Sequence, residues 1–465
     1  MPHQDHDVPS RLWSPNFPFA PSNSPFFYGW AIVAAGTLGI VFSIPGQTMG
    51  FTVFSDILIR ELQLSRVQLS MAYCVGTVAS GFTLPMLGRV FDRIGARKMV
   101  VGAAFGTGLV LFFLSQTARL ADFLSNSLPG VSRMVVAFTL ITIGFYLIRM
   151  SAQGVLTMTS RNAIGKWFDF RRGTALAISG VVTSFTFSIA PTFLNLLVKW
   201  FRWDGAWMVL GGLTIVVMGG IGWLFYRDNP EECGLVMDGP MRSDTRKLAH
   251  ADSLTHRDFN RREALCSLPF WAFNLSFGFI SLFSTAVTFH ILDIGSQAGI
   301  EGEKILLYFV PMAFVAVPTN LLFGWLSPRV KLKYLLVVMN LAALALVLGT
   351  IYLPPERDWT DPGLLAFIIG NGICGGAFSA LSGIVWPRFF GRRWLGSIAG
   401  IGMSSMVIAS GLGPILFSVF KDHFGSYQLV FWVNAVIPAA LVITSFGADN
   451  PQRKFAPSPP SVSDE

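Results

Sequence analysis

Twelve predominantly apolar stretches dominate this 465-residue chain, each long enough to cross roughly 30 Å of hydrocarbon as a helix of about 20 residues. Six begin near residues 28, 68, 99, 134, 173 and 206, and six near 270, 305, 334, 362, 395 and 428. A backbone in lipid has to satisfy its own hydrogen bonds, so these stretches are read as helices. The composition agrees, since 52% of residues are hydrophobic and 13% charged, more apolar than a soluble core could use. The 42 Phe suit lipid-facing surfaces, and the 46 Gly let helices approach closely. The expected fold class is an all-α integral membrane protein with twelve transmembrane helices in two six-helix bundles.

The only long polar segment of the interior, residues 227 to 263, separates the two sets. It divides the chain into a tail (1–27), an N-terminal bundle (28–226), a central loop (227–268), a C-terminal bundle (269–447) and a second tail (448–465). Residues 1 to 26, rich in Pro and Ser, lack a basic lead into an apolar core and a small-residue cleavage site. A disordered tail before a retained first span is expected there. The halves share more than a count. RDNP at 227 closes the sixth span and ADNP at 448 closes the twelfth, and Arg171–Arg172 recur as Arg392–Arg393 at the same offset of 221. Asp-Asn-Pro stops a helix because Pro cannot continue it. Two signals at one offset point to a duplication, and membrane transporters built from repeats place their sites where the repeats meet.

The net charge of +8 does not form a basic nucleic-acid surface. Instead, alternate connections are unequal. Those at 89–98, 161–172, 227–263, 329–333 and 388–393 hold twenty-one Lys and Arg, and the intervening ones hold nine. The positive-inside rule then puts both termini and the central loop in the cytoplasm of a multi-pass cell-membrane protein. Cys74, Cys233, Cys266 and Cys374 are scattered, without metal-ligand spacing, so neither disulfide nor metal is expected.

In the turn between spans 2 and 3, GRVFDRIGARK (88–98) packs five charged residues into eleven. No strand precedes it and GxGxxG spacing is absent, which excludes a dinucleotide loop. Its Gly88, Asp92, Arg93, Gly95, Arg97 and Lys98 resemble the loop signature of the major facilitator superfamily, and with twelve spans the resemblance covers nearly the whole chain. It implies that Asp92 faces the positive end of a neighbouring helix, the start of span 11 near Trp394 to Ser397, as a latch that holds the cytoplasmic side closed. Arg171 and Arg172, the repeated basic pair just before span 5, are also gating candidates. The second-half counterpart, GWLSPRVKLK at 324–333, keeps Gly324 and Arg329 but has Pro328 in place of the acid, so an asymmetric latch is expected. KWFDFRRGTALAI, RDNPEECGL and RRWLGSIAGIGMSS resemble the bacterial monocarboxylate-porter and oxalate:formate-antiporter branch. Span 5 keeps Gly180 and Pro191 without the pattern of drug:proton antiporters, and Val317, before Pro318, stands where that branch carries an Arg.

An ionisable group in mid-bilayer costs about 2.5–3.5 kcal/mol on insertion scales. Arg149 is the one basic residue expected deep in a span. Tyr146, Arg149 and Gln153 share a face at i, i+3, i+7 and could hold a carboxylate bidentately. Gln153-Gly154 follows Arg149 one residue later than the resemblance implies. His290 and Asp293, i, i+3 at the outer end of span 7, are the proton-coupling candidates. Gln47, Asn274, Asn320 and Asn371 either line a cavity or bond between helices.

The sequence therefore reads as a secondary transporter that moves a small organic anion of monocarboxylate type by alternating access, with protons as the candidate coupling ion. Its partners are the lipid bilayer and the solute, with no cofactor, nucleic acid or required protein partner. Efflux of amphiphilic compounds and a non-transporting membrane sensor are the alternatives. An enzyme is disfavoured because no nucleophile-base pair or paired carboxylates occur.

Overall fold

The computed structural model describes residues 11–127, 130–239, 255–300, 305, 307–355 and 359–455. The outer parts of both tails (1–10 and 456–465) and residues 240–254 of the central loop lie outside them. The described secondary structure is helical, and ten helices are long and apolar enough to cross a membrane. Two long helices contain a break. Arg66–Ser115 turns at Gly95 (φ 82°) and Arg172–Leu213 at Arg202 (φ 61°). Residues 66–94 and 96–115 thus form spans 2 and 3, and 172–201 and 203–225 form spans 5 and 6, in line with the twelve read from sequence. Span 1 is Gly29–Val41 and span 4 starts at Arg133–Ile148. The second half comprises Leu268–Gln297, Phe309–Leu326, Leu332–Ile351, Pro362–Phe390, Leu395–Phe424 and Gln428–Phe446 as spans 7 to 12.

Local chemistry fixes several helix starts. Ser65 and Gln68 form a reciprocal capping box at the head of span 2, and the Asp361 carboxylate accepts from Gly363 N and Leu364 N before span 10. At the first break, Gly95 adopts a left-handed φ, and a Cβ there would lie 2.3 Å from the Asp228 carboxylate. Asp228 also accepts from Arg97 N at 2.9 Å. The RDNP motif that ends span 6 thereby caps span 3. In the other half, Asp449 of ADNP pairs with Lys333 at the head of span 9 at 2.9 Å. The duplicated motif ties the last span of each half to its third.

The described parts of both tails, both described ends of the central loop and the 88–98 turn gather at one end of the molecule, called here the terminal face. Residues 11–27 depart from the expected disorder by folding onto it. Arg97 donates to the carbonyls of Ser14 (3.0 Å) and Phe17 (2.9 Å), and Arg227 donates to Pro15 (2.6 Å) and Phe17 (3.0 Å). Phe19 lies under the Arg227 guanidinium and packs edge-on against Tyr28. A Pro-rich strip leaves its carbonyls unused by any helix, and two buried guanidinium groups take them. At the opposite tail, Gln452 donates to Arg257 O (2.7 Å) and Phe389 O (3.0 Å).

The buried apolar residues form two clusters. One unites the C-terminal bundle with the terminal-face end of the N-terminal bundle, joining Phe91, Trp167 and Leu176 to Phe389, Leu395 and Ile398. The other, around Phe54, Leu111, Phe145 and Trp207, belongs to the far end of the N-terminal bundle alone. The two bundles are sealed at the terminal face and have separate cores beyond it.

Candidate substrate site and gate

Midway along span 4 the helix widens. Residues Arg149–Leu156 are π-helical, and Thr157–Trp167 then continues as α-helix. A π-turn accommodates one extra residue, at the place where Gln153-Gly154 follows Arg149 one position late. The span also runs on past bilayer length to Trp167. Arg161, expected in a loop, therefore lies inside a helix and hydrogen-bonds to Ser382 of span 10.

Arg149 is 2% exposed. Its Nη1 donates to Gly46 O at 3.1 Å, where span 1 has unwound, and its Nη2 donates to Ser410 Oγ of span 11 at 3.3 Å. Its Nε is buried without a partner. The aromatic ring facing the guanidinium, 5.1 Å away, is that of Tyr73 from span 2, not that of Tyr146. Tyr146 is half-buried, and its hydroxyl makes no hydrogen bond among the described residues. Phe51, Tyr73, Phe145 and Trp207 wall a cleft beside Arg149 whose open core, about 10 Å³, has room for one water. Phe51 stacks on Tyr73 at 5.4 Å and meets Phe145 edge-on at 4.6 Å, which closes the cleft.

The other predicted substrate residues are dispersed. Gln47 donates to Ser43 Oγ (3.1 Å), which accepts from Thr157 Oγ1 (3.0 Å), so it belongs to a polar thread between spans 1 and 4 next to Gly46. Gln153 has a buried, unpartnered Oε1, and a Cβ at Gly46 would approach its backbone nitrogen at 2.9 Å. Asn274 bonds Ser405 of span 11 at 2.9 Å inside the C-terminal bundle. Asn320 instead crosses between bundles, donating to Ala177 O of span 5 at 3.1 Å. Asn371 is half-buried in span 10, away from these contacts. Arg149, Gln153 and Gln47 thus share one locality, to which the structure adds Tyr73 and Ser410. Neither addition had a sequence signal beyond a polar side chain in an apolar run.

His290 and Asp293 both reach out from span 7, though not to each other. His290 Nε2 lies 3.0 Å from Pro414 O and 3.3 Å from Ser418 Oγ. Asp293 is paired with Lys421 and accepts from Tyr427 OH at 2.7 Å.

At the terminal face, Asp92 accepts from the backbone nitrogens of Gly396 and Ser397, both at 2.7 Å, and from Ser397 Oγ. A carboxylate there meets unsatisfied amides and the positive helix end together. Gly88 makes this approach possible, because a Cβ on it would lie 2.1 Å from Gly396 O. In the pseudo-equivalent contact, a Cβ on Gly324 of span 8 would lie 2.6 Å from Gly173 O of span 5, with no carboxylate beside it. The amides at the head of span 5 are taken instead by Asp238 of the central loop, which accepts from Asp169, Phe170 and Arg171 N at 2.8–3.1 Å. Asp258, near the other end of that loop, likewise accepts from Arg392 N (2.7 Å) and Arg393 N (3.1 Å).

The remaining motif residues divide by role. Arg93 and Lys98 are exposed and Arg171 is half-buried. Arg97 bonds the tail and Trp223 O (2.8 Å), while Arg172 bonds Gly165 O (3.1 Å) and Phe168 O (2.9 Å), so both clamp the N-terminal bundle to itself. Arg392 bridges the bundles, donating to Lys166 O (2.9 Å) and pairing with Glu231 (2.8 Å).

Comparison with known proteins agrees with this architecture. A family model described as Major Facilitator Superfamily matches residues 35–360. Monocarboxylate transporter 12 of Rattus norvegicus is 25% identical over 285 residues, which cover 58% of this chain and 58% of that protein. The match therefore spans less than two thirds of that relative's length. Monocarboxylate transporter 11 of Homo sapiens is 26% identical over 425 residues, 87% of this chain and 79% of that one. Among solved structures, the proton:xylose symporter XylE superposes with a TM-score of 0.63 at 15% identity, covering 90% of this chain and 95% of the other.

Proposed function

The chain belongs to the Major Facilitator Superfamily, whose members are membrane transporters rather than enzymes, and on that premise we propose that it carries a small organic anion of monocarboxylate type by alternating access. The observation that carries this reading is Arg149, a buried guanidinium with a free Nε, held by a carbonyl and a hydroxyl and by no carboxylate among the described residues. Neutral partners hold Nη1 and Nη2 but leave Nε unpaired and the charge uncompensated, and a carboxylate would supply an acceptor and a counter-charge at once. Tyr73, Phe51 and Trp207 give the solute's apolar body a wall. The relatives named as monocarboxylate transporters support the class.

In this reading the terminal face is cytoplasmic in the cell membrane, and Asp92, with Gly88, holds it closed. Its positive-inside charge and the sealed core there support this orientation. His290 and Asp293 are the candidate carriers of a coupling proton. The test is uptake of a labelled carboxylate panel into proteoliposomes, with and without a pH gradient, by wild type and Arg149→Ala. Saturable uptake of a carboxylate that the variant loses is expected. Transport of neutral or cationic solutes alone would overturn the anion assignment.

A further inference from the structure

A cleft of about 270 Å³ opens on the terminal face between the two bundles. One wall is Arg89 and Arg93 of the 88–98 turn, and the other is Arg261 and Arg262 with Trp394 at the head of span 11. All four arginines are exposed, and none of their side chains has a hydrogen bond or ion pair with a described residue. The nearby acids are engaged elsewhere: Asp92 with Gly396 and Ser397, Glu263 with Arg257, and Asp258 with the amides of Arg392 and Arg393. Four guanidinium groups therefore line one cleft without a counter-charge among the described residues.

The surfaces leading away from the cleft say what the anion is attached to. On span 2, Phe82, Met86, Arg89 and Arg93 follow i, i+4, i+7, i+11 spacing and form one stripe, apolar below and basic above. Phe82 is 71% and Met86 61% exposed. On the other side, Leu268, Trp271 and Leu275 of span 7 repeat at i, i+3, i+7 and are also exposed. Basic groups at the membrane edge above lipid-facing apolar stripes suit a headgroup and its acyl chains.

We propose that this cleft binds the phosphate of an anionic phospholipid, bridging Arg89 and Arg93 of the N-terminal bundle to Arg261 and Arg262, which lie on a short helix of the central loop (Arg261–Leu265) packed against spans 7 and 11 of the C-terminal bundle. Because one wall belongs to one bundle and the other packs against its partner bundle, the lipid binds the closed terminal face more tightly than the open one and shifts the population toward closed. The site does not depend on which solute is carried.

The test uses the full chain in nanodiscs of phosphatidylcholine alone or with phosphatidylglycerol. Retained lipid is counted by native mass spectrometry, and closure is read as hydrogen-exchange protection of the segment holding Gly396 and Ser397. Wild type should retain phosphatidylglycerol selectively and gain several-fold protection, and the exposed double variant Arg261→Gln/Arg262→Gln should lose both. Three results would each overturn the proposal: no preference for phosphatidylglycerol, a preference that persists in the double variant, or equal protection from inorganic phosphate in phosphatidylcholine discs.

Discussion

Asp92 and Ser397, from opposite bundles, meet through two hydrogen bonds to one carboxylate oxygen, while its other oxygen takes the amide of Gly396 at 2.7 Å. Hydrogen bonds to a charged group contribute about 1.5–3 kcal/mol each. Asp92→Ala should therefore shift the closed-to-open ratio at the terminal face at least about tenfold toward open. Hydrogen exchange at 394–400 checks this. Arg329→Ala in the second-half loop should change the ratio less than twofold, since its bonds stay on its own helix at Trp325 O.

Gly88→Ala should have a similar effect through sterics. The added methyl would sit 2.1 Å from Gly396 O, so the bundles must part. Gly102→Ala, where a Cβ meets nothing within 4 Å, is the matched control and should be neutral or stabilising by about 0.5–1 kcal/mol. Equal transport rates in the two variants would contradict the close-approach argument.

Arg149→Lys keeps the charge but loses the fork that holds a carboxylate with two parallel bonds. Carboxylate uptake should fall about tenfold or more, whereas Ser410→Ala should cost only a few-fold. A lysine variant with wild-type uptake would count against bidentate recognition.

If His290 carries the coupling proton, pH-gradient-driven uptake should vanish in His290→Ala while exchange without a gradient survives. Gradient-driven uptake that persists in this variant removes His290 as carrier. Asp293→Asn tests its partner in the same assay, since it breaks the pairing with Lys421 without removing the Tyr427 bond site.

The N-terminal strip has its own test. Removing residues 1–20 strands the donors of Arg97 and Arg227, at about 1–3 kcal/mol for each buried group left unpaired. The melting temperature in detergent should drop. Cys233, 3% exposed and packed near Pro15 O, has its thiol pushed up to about 11 by burial. It should resist maleimide at pH 7.5 in the full chain, where the exposed Cys266 reacts, and become reactive in the truncated one.

The long-range order of this molecule was largely legible. Apolar length gave the spans, and the 88–98 turn pointed to Trp394–Ser397 because a carboxylate needs a positive partner and the resemblance located one. What stayed hidden depends on backbone geometry or distant pairing. The π-helical stretch from Arg149 rests on a hydrogen-bond register that no composition reveals, and it leaves Tyr73 rather than Tyr146 at the guanidinium. Asp238 and Asp258 lie in the polar central loop with no local pattern that names a partner, yet each takes the amides of a turn far away in sequence. The folding of residues 11–27 has no local signal: Pro and Ser content favours disorder, and the carbonyls of this strip become useful acceptors only where the fold brings Arg97 and Arg227 beside them.

The apolar cluster that unites Phe91 and Trp167 with Phe389 and Leu395 has a bearing on what the covalent link between the halves is for. Cohesion resides in that seam rather than in the peptide that joins the bundles. Two polypeptides made by cutting within 240–254 should still find and hold each other in the membrane, and they should co-purify. Either piece alone would carry a bare greasy seam to the water's edge, so neither six-span half is a finished object without its twin.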